Sequence, residues 1–271
     1  FRGAAGLTYV RFQGNPNVTA AGLDSFAAAT GLEVLDLTST KIGGSAAARI
    51  AGFTKLKHLH LPQNGLWTDE DVTKLATLTA LEALTVSNNP VGDAGLKPVV
   101  TAAKNLGKLH ATGTNISDAL LDGLAGRPAL GLVEANKTKV TTAGAKRLMT
   151  APPGLTYVQF DYKAADDPDR KLARFVLEKG GKVWVRAWGA ASKVVAPATA
   201  ADLPDEPLFV TEIQHTGAYV FTSEDATALA AAPALTHFYV MSTRFTDADL
   251  RAWSLAPNAP RMHTLCVSSK D

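Results

Sequence analysis

The feature that most constrains this chain is a short apolar pattern, LxxLxLxx(N/T), that returns at an almost fixed interval. It is carried by Leu7-Val10-Phe12-Asn15, Leu32-Leu35-Leu37-Thr40, Leu56-Leu59-Leu61-Asn64, Leu81-Leu84-Val86-Asn89, Leu106-Leu109-Ala111-Thr114 and Leu130-Val133-Ala135-Thr138. The leading residues advance by 25, 24, 25, 25 and 24 positions, and a seventh copy opens 25 later at Leu155-Val158-Phe160. A period of this length is the signature of stacked supersecondary units, none of which can bury its apolar face alone.

Within each unit, alternation at period two makes the motif a strand. It points Val10 and Phe12, or Leu35 and Leu37, inward and the residues between them outward. The closing Asn or Thr is expected to bond backbone groups of the turn that follows. After it come a capping residue and apolar residues at helical spacing, as in Ser117-Asp118-Ala119-Leu120-Leu121 with Leu124. Asp69, Asp93, Asp118 and Asp247 sit where a carboxylate can accept from the first free N–H groups of the helix. Gly22, Gly95 and Gly144 recur at one place in their units and read as turn or tight-packing positions.

These residues resemble the leucine-rich-repeat family. The copies of T-x-(V/I/F)-T-D-A-x-L, clearest in Thr243-Arg244-Phe245-Thr246-Asp247-Ala248-Asp249-Leu250, are similar to its ribonuclease-inhibitor-like, cysteine-containing and bacterial branches. The resemblance implies an α/β solenoid with parallel strands on the concave side and helices on the convex side. It is specific for fold and not for chemistry.

The register is lost for 53 positions, from Leu155 to Leu208. Asp166-Asp167-Pro168-Asp169 starts a helix with an apolar face on Leu172, Ala173, Phe175, Val176 and Leu177, and Gly180-Gly181 ends it. Lys182–Arg186 alternates as a strand, and an alanine- and proline-rich crossing follows. Repeats are expected to resume at Leu208-Thr211-Ile213-Thr216, Leu235-Phe238-Val240-Thr243 and Met262-Leu265-Val267, spaced by 27. The predicted organisation is a first array over residues 1–162, a helix-strand cap or linker over 163–207 and a second, shorter array over 208–271. The helix ending in LEKGGKVWV, followed by a fresh repeat at PLFVTEI, resembles tandem blocks of large planctomycete-type bacterial proteins, in which such blocks commonly follow a serine/threonine kinase domain. That resemblance implies a second role, as a regulatory or substrate-selecting region C-terminal to a kinase.

Composition narrows the function classes. Twenty-seven basic and 25 acidic residues give a net charge of +2 without a Lys/Arg-rich block, which disfavours nucleic acid as partner. No stretch approaches the roughly 20 apolar residues that span a bilayer. The single cysteine, Cys266, excludes an intramolecular disulfide and is compatible with a reducing, cytoplasmic compartment. Phe1 and the opening FRGAAGLTYV have neither an initiator methionine nor a signal peptide, so the chain reads as a piece of something longer, monomeric in this form.

No phosphate loop, HRD, DFG, HExxH or GxSxG motif is present, and no kinase residue lies in the chain, so neither enzyme chemistry nor a cofactor is expected. His58, His60 and His110 face outward, but strands about 4.8 Å apart put His110 roughly 10 Å from the other two, too far to share a metal. Cys266 is read as outward and unreactive, and Trp67, Trp184, Trp188 and Trp253 as covers for core ends. What remains is a binding face. Tyr9, Arg11, Gln13, Asp36, His58, His60, Lys108, His110, Glu134, Asn136, Tyr157, Gln159 and Asp161 line the first array's wall. Val210, Glu212, Gln214, His237, Tyr239 and Met241 are their counterparts in the second. This mixture of aromatic and polar side chains is the kind from which protein-binding hot spots are drawn, and the expected function is non-catalytic protein interaction or scaffolding.

Overall fold

The computed structural model describes residues 4–151, 155, 157–188, 193–217, 219–241, 245–256 and 259–268. The side chains of Ala4, Met241, Pro260 and Ser268 lie outside that description, as do Thr243 and Arg244 of the best T-D-A-x-L copy. Two compact units result, Phe1–Asp161 and Tyr162–Asp271.

In the first unit, seven strands pair in parallel and in chain order: β1 (Tyr9–Arg11), β2 (Val34–Asp36), β3 (His58–His60), β4 (Ala83–Thr85), β5 (Lys108–His110), β6 (Leu132–Ala135) and β7 (Tyr157–Phe160). Register runs unbroken along the inward row Val10, Leu35, Leu59, Leu84, Leu109, Val133 and Val158, all buried. Between strands lie α1 (Ala47–Ile50), α2 (Asp69–Thr73), α3 (Asp93–Ala102), α4 (Asp118–Leu124) and α5 (Thr142–Thr150). The first repeat closes with 3-10 turns over Ala20–Phe26, which bury Leu23 and Phe26.

Two polar ladders hold the repeats in register. At the strand end, Thr40, Thr114 and Thr138 donate to the carbonyls of Leu37, Ala111 and Ala135, while the Asn64 and Asn89 amides reach back to Ile42 O and Pro62 O of the preceding repeat. The residue just before this Asn or Thr is left-handed at Gly14, Ser39, Asn88, Gly113 and Lys137. At Gly14, Asn88 and Gly113 its N–H meets the next repeat's carbonyl, at Thr38, Thr112 and Asn136. Lys137 N–H instead meets the Asp161 carboxylate at 2.6 Å.

At the helix starts the structure corrects the expected role of the aspartates. Asp69, Asp93 and Asp118 are first-turn residues whose carboxylates accept from the next repeat's cap residue: Gly92 N at 2.6 Å, Ser117 N at 2.8 Å and Thr141 N at 2.8 Å. The helices that Asp69 and Asp118 begin are capped by the Thr68 and Ser117 side chains, and the one that Asp93 begins follows Gly92, which has no side chain to cap it. Asp247 likewise begins α8 (Asp247–Ser254) and does not cap it, Thr246 and Asp249 forming its capping box. Gly95 and Gly144 are glycine because a Cβ would strike the preceding repeat's Asp69 or Asp118, whereas Gly22 has no such neighbour nearer than 3.9 Å.

The second unit contains α6 (Pro168–Glu178), β8 (Lys182–Ala187), β9 (Val194–Val195), β10 (Leu208–His215), α7 (Ser223–Ala230), β11 (His237–Met241), α8 and β12 (Thr264–Ser268). Its sheet runs β12-β11-β10-β8-β9, parallel across the repeat strands and antiparallel where β8 joins β10 and β9 joins β8. Leu172, Val176, Val183 and Val185 share one core with Ile213, Phe221, Leu235 and Phe238.

The repeat register here is two residues from the expected one. Ile213 pairs with Phe238 and His215 with Val240, so the inward pair of β10 is Ile213 and His215 rather than Thr211 and Ile213. A bulge between Val210 and Glu212 against β8 turns Val210 into the core, where it is fully buried, and removes it from the expected outer set. Leu265, expected inward, is 46% exposed because β12 is the edge strand among the described residues.

Candidate functional site

The in-register stacking sorts the outward side chains of the first unit into rows that run across the strands. One row is Arg11, Asp36, His60, Thr85, His110, Glu134 and Gln159. Most of its members bind one another: Arg11 Nε to Asp36 at 3.1 Å, His60 Nδ1 to Thr85 Oγ1 at 2.9 Å, and His110 Nδ1 to Glu134 Oε2 at 2.8 Å. Arg11 also donates to Gln13, and Asp36 accepts from Thr38 N. Burial holds His60 below the usual histidine range; Asp36 opposes this, and His110, His58 and Arg11 reinforce it. The His110–Glu134 pair joins two residues that sequence reasoning had treated separately. Their motif offset, Leu109+1 against Val133+1, is the signal that places them side by side.

The second row is Tyr9, Val34, His58, Ala83, Lys108, Leu132 and Tyr157. It is more apolar and has few internal bonds. His58 stands 3.9 Å from Glu82, the Tyr157 hydroxyl reaches Gln159 at 3.4 Å, and Tyr9 and Tyr157 are 56% and 48% exposed. Beside it the chain dips. The residue preceding the outward strand start is Glu33, Lys57 and Glu82 at β2 to β4, then Gly107 and Gly131 at β5 and β6. Loss of two side chains opens a groove of about 570 Å³ lined by His58, Glu82, Ala83, Asn105, Lys108, Leu132 and Tyr157, with the two glycines between. Neither glycine was singled out from the sequence, although their departure from the charged residues at that position was visible there.

Gln13, Asn136 and Asp161 form part of a third row at the strand-end turns, where Asp161 is committed to Lys137 N–H. In the second unit Glu212 pairs across to His237 and Gln214 to Tyr239, all half-buried on the outer sheet face. The Cys266 thiol is exposed. Trp67 and Trp253 are buried as expected, Trp67 donating to Ile42 O, but Trp184 and Trp188 are only half-buried. No group of three or more His, Cys, Asp or Glu side chains among the described residues could hold a metal ion, and no helix there is long and apolar enough to cross a membrane.

Parallel strands in chain order, one helix or turn per strand, and outward rows set by a common register define a leucine-rich-repeat solenoid. A family model described as a leucine-rich repeat matches residues 77–100. Among solved structures the chain is similar to an internalin C2 from Listeria monocytogenes, at 28% identity over 57% of this chain and 61% of that one, with a TM-score of 0.44. It is similar also to an internalin from the same organism, at 16% identity over 98% of this chain and 61% of that one, TM-score 0.43. A plant ice-binding protein matches at 18% identity over 57% of this chain and 56% of that one, TM-score 0.39. The chain thus spans about 61% of the length of the internalins it matches. No curated protein matches it.

Proposed function

We propose that the chain is a non-catalytic protein-interaction module whose partner lies across the strand face of the first unit, on the row from Tyr9 to Tyr157. The observation that carries this reading is the division of labour between the two rows. One row consumes its polar groups internally; the other leaves two tyrosines, an imidazole, a lysine and a groove open to solvent. Exposed aromatics beside a groove of mixed apolar and polar lining are the usual anchors of an interface.

Affinity capture from source lysate tests the proposal. The intact chain is compared with a variant carrying Tyr9→Ala, His58→Ala, Lys108→Ala and Tyr157→Ala, and with a control carrying Lys97→Ala and Lys104→Ala on the helix side. A protein retained by the wild type and the control but lost from the four-residue variant, with circular dichroism unchanged, is the expected result. Equal retention by all three refutes the assignment to this face.

A further inference from the structure

A second site, independent of that reading, lies on the sheet face of the other unit. A cleft of about 480 Å³ is lined by Trp184, Arg186, Val194, Thr211, Glu212, Ala234, Thr236, His237 and Arg261. Register explains how residues so distant in sequence meet. Trp184 on β8 is opposite Glu212 on β10, which is opposite His237 on β11, so one row crosses three strands. Arg186 enters from the next outward position of β8, and Arg261 from the turn before β12.

Both guanidinium groups are held in place by neutral partners. The Arg186 guanidinium carbon lies 5.5 Å from the centre of the Phe209 ring, and Phe209 in turn packs edge-on against Trp188. Arg261 donates to Pro233 O at 3.4 Å. Neither arginine forms a salt bridge among the described residues. The cleft's one carboxylate, Glu212, accepts from the Gln214 amide at 2.7 Å. Thr236 gives its hydroxyl proton to Thr211 O at 3.0 Å, so its oxygen accepts from His237 Nδ1, 2.8 Å away. This hydroxyl geometry assigns the Nδ1–H tautomer to His237.

We infer that this cleft binds a phosphoryl group carried on a planar or aromatic body. Two arginines against one carboxylate leave an excess of one positive charge. A phosphomonoester carries about −1.5 to −2 at neutral pH and is drawn to this excess more strongly than a carboxylate's single charge. Arginine forks suit phosphoryl oxygens geometrically, and the half-buried Trp184 offers a π-face for the organic part.

The test is a titration of the whole chain with inorganic phosphate, phenyl phosphate and benzoate at constant ionic strength, followed by calorimetry and by the Trp184 indole N–H resonance. Phenyl phosphate is expected to saturate one site, about tenfold more tightly than inorganic phosphate and than benzoate, with Arg186→Gln and Arg261→Ala each weakening it about tenfold or more. Trp184→Phe should lower the advantage over inorganic phosphate without abolishing binding. Folding of each variant is checked by circular dichroism, and Arg261→Lys, which keeps the charge but loses the fork, should fall between wild type and Arg261→Ala. Absence of saturable phenyl phosphate binding overturns the proposal. So does binding that survives in folded Arg186→Gln and Arg261→Ala alike, or equal affinity for benzoate.

Discussion

The contact between Asp118 and Gly144 offers a double-mutant cycle in which one substitution should change sign. Asp118 accepts from Thr141 N at 2.8 Å and Thr141 Oγ1 at 2.7 Å, joining the fourth helix to the fifth. A Cβ on Gly144 would stand 2.1 Å from the Asp118 Cγ and Oδ1 and 2.6 Å from Oδ2. Alanine is favoured over glycine by up to about 1 kcal/mol within a helix, whose first turn holds Gly144. In the wild type that gain is outweighed, because the carboxylate must swing away and forfeit both bonds, worth about 2 kcal/mol together at this partly exposed site. Gly144→Ala therefore costs about 1 kcal/mol net and Asp118→Ala about 2, but Gly144→Ala made on top of Asp118→Ala recovers about 1. The coupling is about 2 kcal/mol. Urea unfolding followed by circular dichroism, with hydrogen exchange at the α4 and α5 amides to isolate the local contribution, measures all four corners. Gly95 is the control: its nearest atoms are the Asp69 Cα at 2.7 Å, Oδ1 at 2.7 Å and backbone O at 3.0 Å, so Gly95→Ala should remain destabilising with Asp69 truncated. If Gly144→Ala costs the same with and without Asp118, the carboxylate is not what reserves that position for glycine.

Two further outcomes follow from the backbone and from charge. Lys137 is held at φ 53°, so Lys137→Gly should stabilise the first unit by about 0.5–1 kcal/mol, relief of the left-handed strain exceeding the added unfolded-state entropy, and urea unfolding checks it. Because burial lowers the His60 pKa, the folded state takes up protons less readily than the unfolded one. Stability is then full above the unfolded value near 6.5 and declines as pH falls through it towards the folded value; a smaller loss of urea midpoint between about pH 7.5 and 5.5 in His60→Gln checks the sign.

Much of the first unit was legible because its information is local and repeated. A strand offset of two and a unit of 24 or 25 residues fix which side chains are neighbours across the sheet, so the outward rows could be written from the sequence. What could not be read was which neighbours consume one another. Asp36 and Glu134 sit on the same face as Lys108, and only distances separate the paired from the open. The aspartates of the helix starts were misread for a related reason: a carboxylate in a first turn satisfies the intrahelical pattern equally well, and its bond to the next repeat appears only on stacking. The second unit escaped further. Its repeat strand β10 pairs antiparallel with β8, and a bulge absorbs the mismatch of the two pairings. Parity counted from Leu208 therefore failed at Val210, and His215 occupies an inward position that the motif reserves for an apolar residue.

The same contrast bears on how stability and recognition can be varied separately. The first unit is held by the buried row from Val10 to Val158, by the helix-start bonds between successive repeats and by strand-end turns bonded both within a repeat and to the next. None of these contacts uses Tyr9, His58, Lys108 or Tyr157. Removing an inward leucine such as Leu109 opens a cavity shared by neighbouring repeats and costs roughly 3 kcal/mol, whereas truncation of exposed side chains away from such features usually costs within about 0.5 kcal/mol. A solenoid built this way can exchange its open row while keeping its scaffold, because the residues that fix the register lie off that row. Loss of binding in a folded variant of the open row would therefore report on the partner's contacts and not on the scaffold beneath them.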